Sequence, residues 1–448
     1  MKEKTDVLVI GACTAGLYFA GLMAQKGFRV LVCDRSSTAD LGCRYDIIHI
    51  GEEYFSQFGL PKPGPGDEDY VETFHKSILV SALNNYPKNN SVDILVLRRV
   101  PFMRRLTDWA RSCGAEVSLE TEFVEPLFDE TGKLCGALLR KDGAKLRVKA
   151  RLTVDASGID AAVRVKLPNN YGVENFVTGP RDQFYVVLRY VTLKNPTEDK
   201  PQFTKTWPYY KTWIAPQQDA DGAILGIGAN LSFDYAQRCW ERFCAKGFLP
   251  EHEVQYIEQS STPYRRPPYS FVADGFIALG DAACVTNPWS GEGVPYAWFL
   301  CSIAAEEFAE VMKNGVYPTQ TAAWAINTRY QRSQGAEFAQ NLAMLSGAVD
   351  CSPKENDYEF AHSIIFEDEH EKGKHNFILG ILKGVLFGGI SVKSLMNLVK
   401  AASTGGKILK HYRSFPENPS DFGGWTAKAN VLWAGAGSMT DLAERDSV

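Results

Sequence analysis

The chain reads as an α/β protein with a strand–helix–strand unit at the N-terminus, an inserted mixed β-sheet and a helical C-terminal region. Three observations carry that reading. Apolar runs at Asp6–Gly11 and Phe28–Asp34 flank a helical stretch from Thr14 to Lys26. Strand-like alternation fills Tyr185–Leu193 and Ala223–Leu231. Helical spacing dominates after residue 293. At 448 residues the chain can build two or three packed layers.

Asp6-Val-Leu-Val-Ile-Gly11 has the continuous apolar character of a buried parallel strand. The following helix carries Leu17, Phe19, Ala20, Leu22 and Met23, and Gly27 ends it. The turn between them is Gly11-Ala-Cys13-Thr14-Ala15-Gly16. A dinucleotide fingerprint wants glycine at the first, third and sixth positions of such a turn. Cys13 stands at the third, where backbone approaches pyrophosphate, so it is expected to hold that group slightly further off. Asp34 ends the second strand about 20 residues on, where a carboxylate binds ribose hydroxyls. The unit is a Rossmann-type dinucleotide site, with Arg35 beside Asp34 as a further candidate.

A second half of that site lies far along the chain. Phe276-Ile-Ala-Leu279 is a strand that runs into Gly280-Asp281, and Asn287-Pro288-Trp-Ser-Gly291-Glu292-Gly293-Val294 then opens a helix expected to continue through Ala305. A Gly-rich loop at a helix start offers backbone N–H groups and a positive dipole end. Asp281 is aimed at a ribityl or pyrophosphate end. Between the halves lies Val154-Asp155-Ala-Ser-Gly158, followed by Val163-Arg164. This segment resembles the Asp-Ala-x-Gly…Val-Arg signature of flavin monooxygenases and their relatives. Three motifs in this order point to FAD and to a glutathione-reductase/hydroxylase-like fold. The expected organisation is a discontinuous FAD-binding domain (1–165 plus 270–310), a substrate domain (166–269) and a helical C-terminal region (311–448).

The resemblance narrows further. The Asn287-to-Val294 loop is similar to the Asn-Pro-x-x-Gly-Glu-Gly-Ile loop of the geranylgeranyl reductase family, FAD-dependent enzymes that reduce C=C bonds. Cys43, then Phe55…Gly59-x-Pro61-x-Pro63, resembles that family's Cys-Gly segment and its continuation, and Trp213-Ile-Ala-Pro216 with Gly226-x-Gly228 resembles its Tyr-x-Trp-x-Phe-Pro…Gly-x-Gly motif. The likeness runs from residue 6 to about residue 305. It departs at Arg44 (for Gly), Lys211 (for Tyr) and Ala215 (for Phe). The last two fall where a lipid chain would lie and put the prenyl substrate in doubt more than the flavin chemistry. Arg44 also matches a loop arginine near FAD in aromatic hydroxylases, and both roles stay open.

The resemblance implies hydride transfer from reduced flavin to an apolar, prenyl-like or conjugated alkene. Cys43 and Tyr210 are candidate proton donors or shape-setting residues, with Trp213 in the same region; plain packing is the alternative for each. His49 is expected to pack structurally. Arg99, opening a helix expected from Phe102 to Cys113, is a candidate at the flavin. Glu292 stands as a first-turn acid. A monooxygenase using NAD(P)H and O2 is the second reading, and a flavin-dependent halogenase or a flavin-bound sensor are minor ones. The electron source is NAD(P)H or a carrier protein, since a second nucleotide fingerprint is absent and Gly435-Ala-Gly437 leaves no room for one.

Composition closes off other classes. A net charge of −5 gives no reason to expect nucleic acid. Ten cysteines without a Cys-x-x-Cys pair argue against zinc or iron–sulfur sites and fit reduced thiols in a cytoplasmic protein. The N-terminus has no signal-peptide pattern, and Phe377–Val392 is too short and too interrupted to span a bilayer. From Lys372 to Arg413 there are eight basic residues and no acid. That stretch is expected either to touch an anionic membrane surface or to be a core-packed helix pair with a solvated basic face.

Overall fold

Val7–Ile10, Val30–Cys33, Leu152–Asp155 and Phe276–Ala278 are buried at every position. Burial on both faces is the condition of a parallel sheet. The computed structural model, which describes residues 4–42, 45–83, 86–196, 202–206, 210–216, 221–369, 373 and 376–447, assembles them in that way. The order across the six-stranded sheet is 272–273, 276–278, 152–155, 7–10, 30–33, 116–118. Ile10 stands beside Cys33 and Asp155, and Asp155 beside Ala278. The turns after these strands therefore leave one common edge, the carboxyl edge where α/β sheets bind ligands.

Helix Thr14–Gln25 follows the first strand, and helix Val294–Val311 packs on it. Trp298, fully buried, donates its indole N–H to the Thr14 carbonyl at 3.1 Å. That bond joins the two distant halves of the motif set. The helix expected from Phe102 begins earlier, at Arg99, with Arg98 as an extended N-cap.

An eight-stranded sheet runs in the order 252–263, 183–193, 222–230, 210–216, 202–206, 70–80, 87–98, 47–51. Its pairings are antiparallel except for Gln202–Thr206 beside Tyr70–Val80. Three of its strands come from residues 47–98, outside the 166–269 interval expected to hold the substrate domain. One face of the sheet packs Val187, Tyr210, Leu225 and Ile227 against helix Phe233–Cys244. The other faces the parallel sheet's ligand edge. A small three-stranded sheet spans residues 121–149.

Beyond residue 311 the described elements are helical, gathered partly on a cluster of Trp324, Tyr412, Phe415 and Trp425. Among the described residues, no helix is long and apolar enough to cross a membrane.

Candidate functional site

The tight turn after the first strand is set by contacts no side chain could survive. Gly11 has φ +107°, and a Cβ there would lie 2.1 Å from the Ala156 carbonyl oxygen. A Cβ on Gly16 would lie 2.0 Å from the Gly11 carbonyl oxygen. These two glycines let the helix start sit directly over two strand ends. Cys13 caps that helix: its sulfur accepts from Gly16 N and donates to the Ala156 carbonyl at 3.2 Å. Burial pushes its thiol up to about 11, so it is neutral. Thr14 and Ala15 open the helix, where N–H groups have no intrahelical acceptor.

Asp34 sits half-buried at its strand end, accepting from Ala12 N at 2.7 Å and Ser36 N at 2.8 Å. One oxygen meets each donor, so each keeps a further acceptor position for a hydroxyl. Arg35 is largely exposed and lies 3.6 Å from Asp160.

Asp155, a candidate cofactor-binding residue through its place in the Asp-Ala-x-Gly segment, is turned toward its own loop. It is fully buried, and its carboxylate accepts from Ser157 N, Ser157 Oγ, Val163 N and Arg164 N. With four donors of its own loop in place, it does not reach outward; it shapes the turn that presents Gly158. Arg164, also fully buried, carries the tie onward. Its Nε donates to the Ala282 carbonyl at 2.9 Å, and Nη1 to the carbonyls of Glu174 and Phe176. The Asp-Ala-x-Gly…Val-Arg signature is thus a clamp between the turn after residue 155 and the turn after residue 280.

Asp281 follows Gly280 on that second turn. Burial raises its carboxyl to about 6, and Thr286 Oγ1 donates to it at 3.4 Å. Gly280 closes on Ala15, whose Cβ would be 3.1 Å from a Cβ added there. The Asn287–Glu292 loop folds back on itself: Asn287 N donates to the Glu292 carbonyl at 2.8 Å and Gly291 N to the Asn287 carbonyl at 2.9 Å. Glu292 N donates to Ser290 Oγ, and Tyr264 OH to the Pro288 carbonyl. Of the loop's backbone N–H groups, Gly291 and Glu292 use theirs to close the loop. Gly293 caps the helix and Val294 begins it.

Between this edge and the eight-stranded sheet lies a cavity of about 470 Å³. Cys13, Thr14, Ala15, Gly158, Gly280, Asp281 and Gly291–Val294 line one side, and Ile47–Gly51, Phe184, Val186, Leu188, Lys211, Trp213 and Ile224 line the other. Two glycines make room for the rings of the second wall. A Cβ on Gly226 would lie 2.0 Å from the Trp213 ring, and one on Gly228 would lie 2.2 Å from the Phe184 ring. The Gly226-x-Gly228 pair lets two aromatic rings rest on the strand. His49 lines the cavity with its ring edge-on to Phe74, centroids 5.6 Å apart.

Tyr210 is on the opposite face. Side chains alternate along a strand, so Lys211 and Trp213 share the cavity face while Tyr210 packs with Cys239 and Trp240 behind the sheet. A proton donor at Tyr210 is therefore ruled out by strand parity. Lys211, read in the sequence only as a departure, faces the cavity instead, and its period-2 relation to Trp213 was the available signal. Cys43 and Arg44 lie outside the described residues. Arg99 Nη1 donates to the Ala39 and Leu41 carbonyls at 3.2 and 2.9 Å, holding the segment that leads to Gly42 at the cavity rim. Its Nε is buried without a hydrogen-bond partner among the described residues.

The glycine cradle at residues 11–16 and the remaining acceptor positions on Asp34 fit a dinucleotide, and the two-walled cavity fits a ring system beyond it. The FAD binding domain family matches residues 4–212. The chain is 23% identical to a digeranylgeranylglycerophospholipid reductase of Sulfolobus acidocaldarius, over 96% of this chain and 98% of the relative. It is 25% identical to a protein of the same name from Methanospirillum hungatei, over 71% of this chain and 79% of that one. In structure it is similar to a geranylgeranyl bacteriochlorophyll reductase-like protein of Thermoplasma acidophilum, with TM-score 0.73 and 15% identity over 92% of this chain and 99% of that one. The flavin-dependent halogenase CmlS shares the fold less closely, at TM-score 0.62 and 20% identity over 97% of this chain and 78% of that one. The chain is an FAD-dependent oxidoreductase and a relative of the geranylgeranyl reductases.

Proposed function

We propose that the chain reduces C=C bonds of an apolar, prenyl-like or conjugated substrate. The observation that carries this reading is the cavity's second wall: Phe184, Val186, Leu188, Trp213 and Ile224 form an apolar surface facing the glycine-lined edge. Such a surface excludes water and holds hydrocarbon at about 25 cal/mol per Å² buried. FAD bound across the edge supplies hydride. The chain's own groups would hold it: the Gly11–Gly16 turn and Asp34 would take the adenosine side, Gly280 and Asp281 the middle, and Val294 with the positive end of its helix the ring end. Trp213 and Phe184 place the alkene, and Lys211 brings a cation to the same chamber.

The reductant is NAD(P)H or an electron-carrier protein. Anaerobic titration of the flavin absorbance with NADH, NADPH and reduced ferredoxin separates these; bleaching by a nicotinamide at a useful rate eliminates the carrier-only version. Incubation of reduced enzyme with an isoprenoid alcohol should give a product two hydrogens heavier for each bond reduced. A hydroxylated product requiring O2 would favour the monooxygenase reading instead.

A lipid surface is the further partner we infer. On helices Phe377–Leu386 and Val392–Arg413 the apolar residues Ile378, Leu379, Leu382, Leu386, Val392, Met396 and Val399 are exposed, as is Phe387 between them, at 83%. Lys383, Lys393, Lys400, Lys407 and Lys410 are exposed on the same pair. An apolar stripe bordered by lysines suits an anionic bilayer surface. The later turns of the second helix instead bury Ala401, Ile408 and Tyr412 against the protein. In co-sedimentation, anionic vesicles should carry the wild type down and leave the double variant Leu386→Asp/Phe387→Asp in solution. Equal behaviour of the two would remove this partner. The variant should unfold within about 0.5 kcal/mol of wild type, since both side chains are exposed.

A further inference from the structure

Lys211 is the one lysine or arginine lining the cavity among the described residues, and no described carboxylate pairs with it directly. Its Nζ donates to the Trp289 carbonyl at 2.8 Å and, more loosely, to the Ser290 carbonyl at 3.4 Å. Both acceptors are neutral. No described carboxylate lies within ion-pairing distance; Glu292 acts on it only through space, while accepting from Ser290 Oγ at 2.9 Å. Along the same strand face its neighbour is Trp213, and Gly228 stands opposite it in the adjoining strand. A partly buried cation at the junction of an apolar wall and a polar loop, with Glu292 near but not paired to it, has room for a direct anionic partner. Burial pulls its pKa down to about 8, consistent with that missing partner.

We propose that Lys211 forms an anion subsite, so that the cavity's ligand is an amphiphile with an apolar body and a carboxylate or phosphate that pairs with Nζ. The inference rests on the reductase reading for the identity of the apolar body, and names the second recognition element of the same site. The geometry favours a ligand that enters with its anionic end at the Trp289–Ser290 loop and its hydrocarbon along Trp213 and Phe184. Charge-assisted pairing in a site of low dielectric is strong and directional, so the subsite selects head group and fixes which end of the chain points inward. The lysine's carbonyl contacts hold Nζ in place before the ligand arrives.

The test uses the full-length oxidised holoenzyme, without turnover. Affinities for geranylgeranoic acid, geranylgeranyl phosphate and geranylgeraniol are measured through quenching of flavin or tryptophan fluorescence, for wild type, Lys211→Met and Lys211→Arg. Wild type should bind at least one of the two anionic probes ten-fold or more tighter than the alcohol. Lys211→Met should bring that probe to the level of the alcohol, and Lys211→Arg should restore most of the preference. Whichever anion is preferred identifies the source. A wild type without preference for either anion overturns the proposal, as does a Lys211→Met enzyme in which the ratio of the preferred anion to the alcohol is unchanged. Loss of FAD or a shifted flavin potential in Lys211→Met, with the ratio kept, would assign the lysine to the cofactor and likewise overturn it. Because these are binding ratios, their failure is distinct from a failure to reduce alkenes.

Discussion

The two walls of the cavity are made of different material. On the parallel-sheet side the lining includes Gly158, Gly280, Gly291 and Gly293, and the first three hold φ of +81°, +60° and +83°, a conformation that side chains rarely adopt. On the eight-stranded side it is made of side chains, with Phe184, Leu188, Lys211 and Trp213 projecting from neighbouring strands. A wall of this kind is tied to backbone conformations that glycine adopts readily and other residues do not. A side-chain wall can be rewritten one residue at a time while its strands stay paired. The cofactor half of the site is therefore tied to the fold, and the substrate half is tied only to strand parity.

Adding a single methyl to the turn beneath the backbone wall should have the largest effect. Gly11→Ala forces an L residue to φ +107° with its Cβ 2.1 Å from a carbonyl oxygen. We expect a loss of about 3 kcal/mol or more and no flavin absorbance after purification. Urea unfolding measures the first and the visible spectrum the second. A Gly11→Ala protein that keeps flavin and wild-type stability would break the distinction between the walls.

Gly226→Val attacks the other wall. Its side chain would take the space of the Trp213 ring, whose nearest atom is 2.0 Å from the added Cβ. The cost should be smaller, about 1–3 kcal/mol of overpacking. Flavin should be retained while binding of an isoprenoid alcohol falls at least ten-fold, as fluorescence titration would report. Loss of flavin in this variant would mean that the walls are not separable.

The smallest effect concerns pH and sits on the backbone wall. Burial raises the Asp281 carboxyl from 3.8 to about 6 in the folded chain. Between those values the folded state binds more protons than the unfolded one, so stability falls as pH rises through that window and stays lower above it. Asp281→Asn should flatten this slope in the flavin-free protein and raise stability at pH 7 relative to pH 4. Parallel denaturant curves at pH 4 and pH 7 check it; an unchanged slope removes the buried charge from the account.

The same contrast explains what the sequence could and could not reveal. Motifs that act through backbone have fixed spacing, so Gly11, Gly16, Asp34, Gly280 and the Gly291–Val294 loop could be assigned to one edge from their order alone. The parallel strands' register then brings them together. Asp155 was found by the same route, but spacing does not say whether a carboxylate points out to a ligand or in to its own loop. On the eight-stranded sheet the decisive quantity is which of two faces a side chain takes. Tyr210 and Lys211 are adjacent, and reading the tyrosine as the functional residue chose the wrong face. Neighbouring aromatics on both faces hid the parity that Trp213 and the two glycines define. The contribution of residues 47–98 to that sheet was equally hidden, because long-range strand pairing has no local signature.

The central claim is that an apolar alkene held between these walls is reduced by FAD. The most direct test is to mix reduced holoenzyme anaerobically with geranylgeraniol or its acid and to follow flavin absorbance and product mass together. The account predicts flavin reoxidation matched one-for-one by alkene bonds gaining two hydrogens, with no need for O2. Flavin that stays reduced with both probes until O2 is admitted, followed by an oxygenated product, would contradict it.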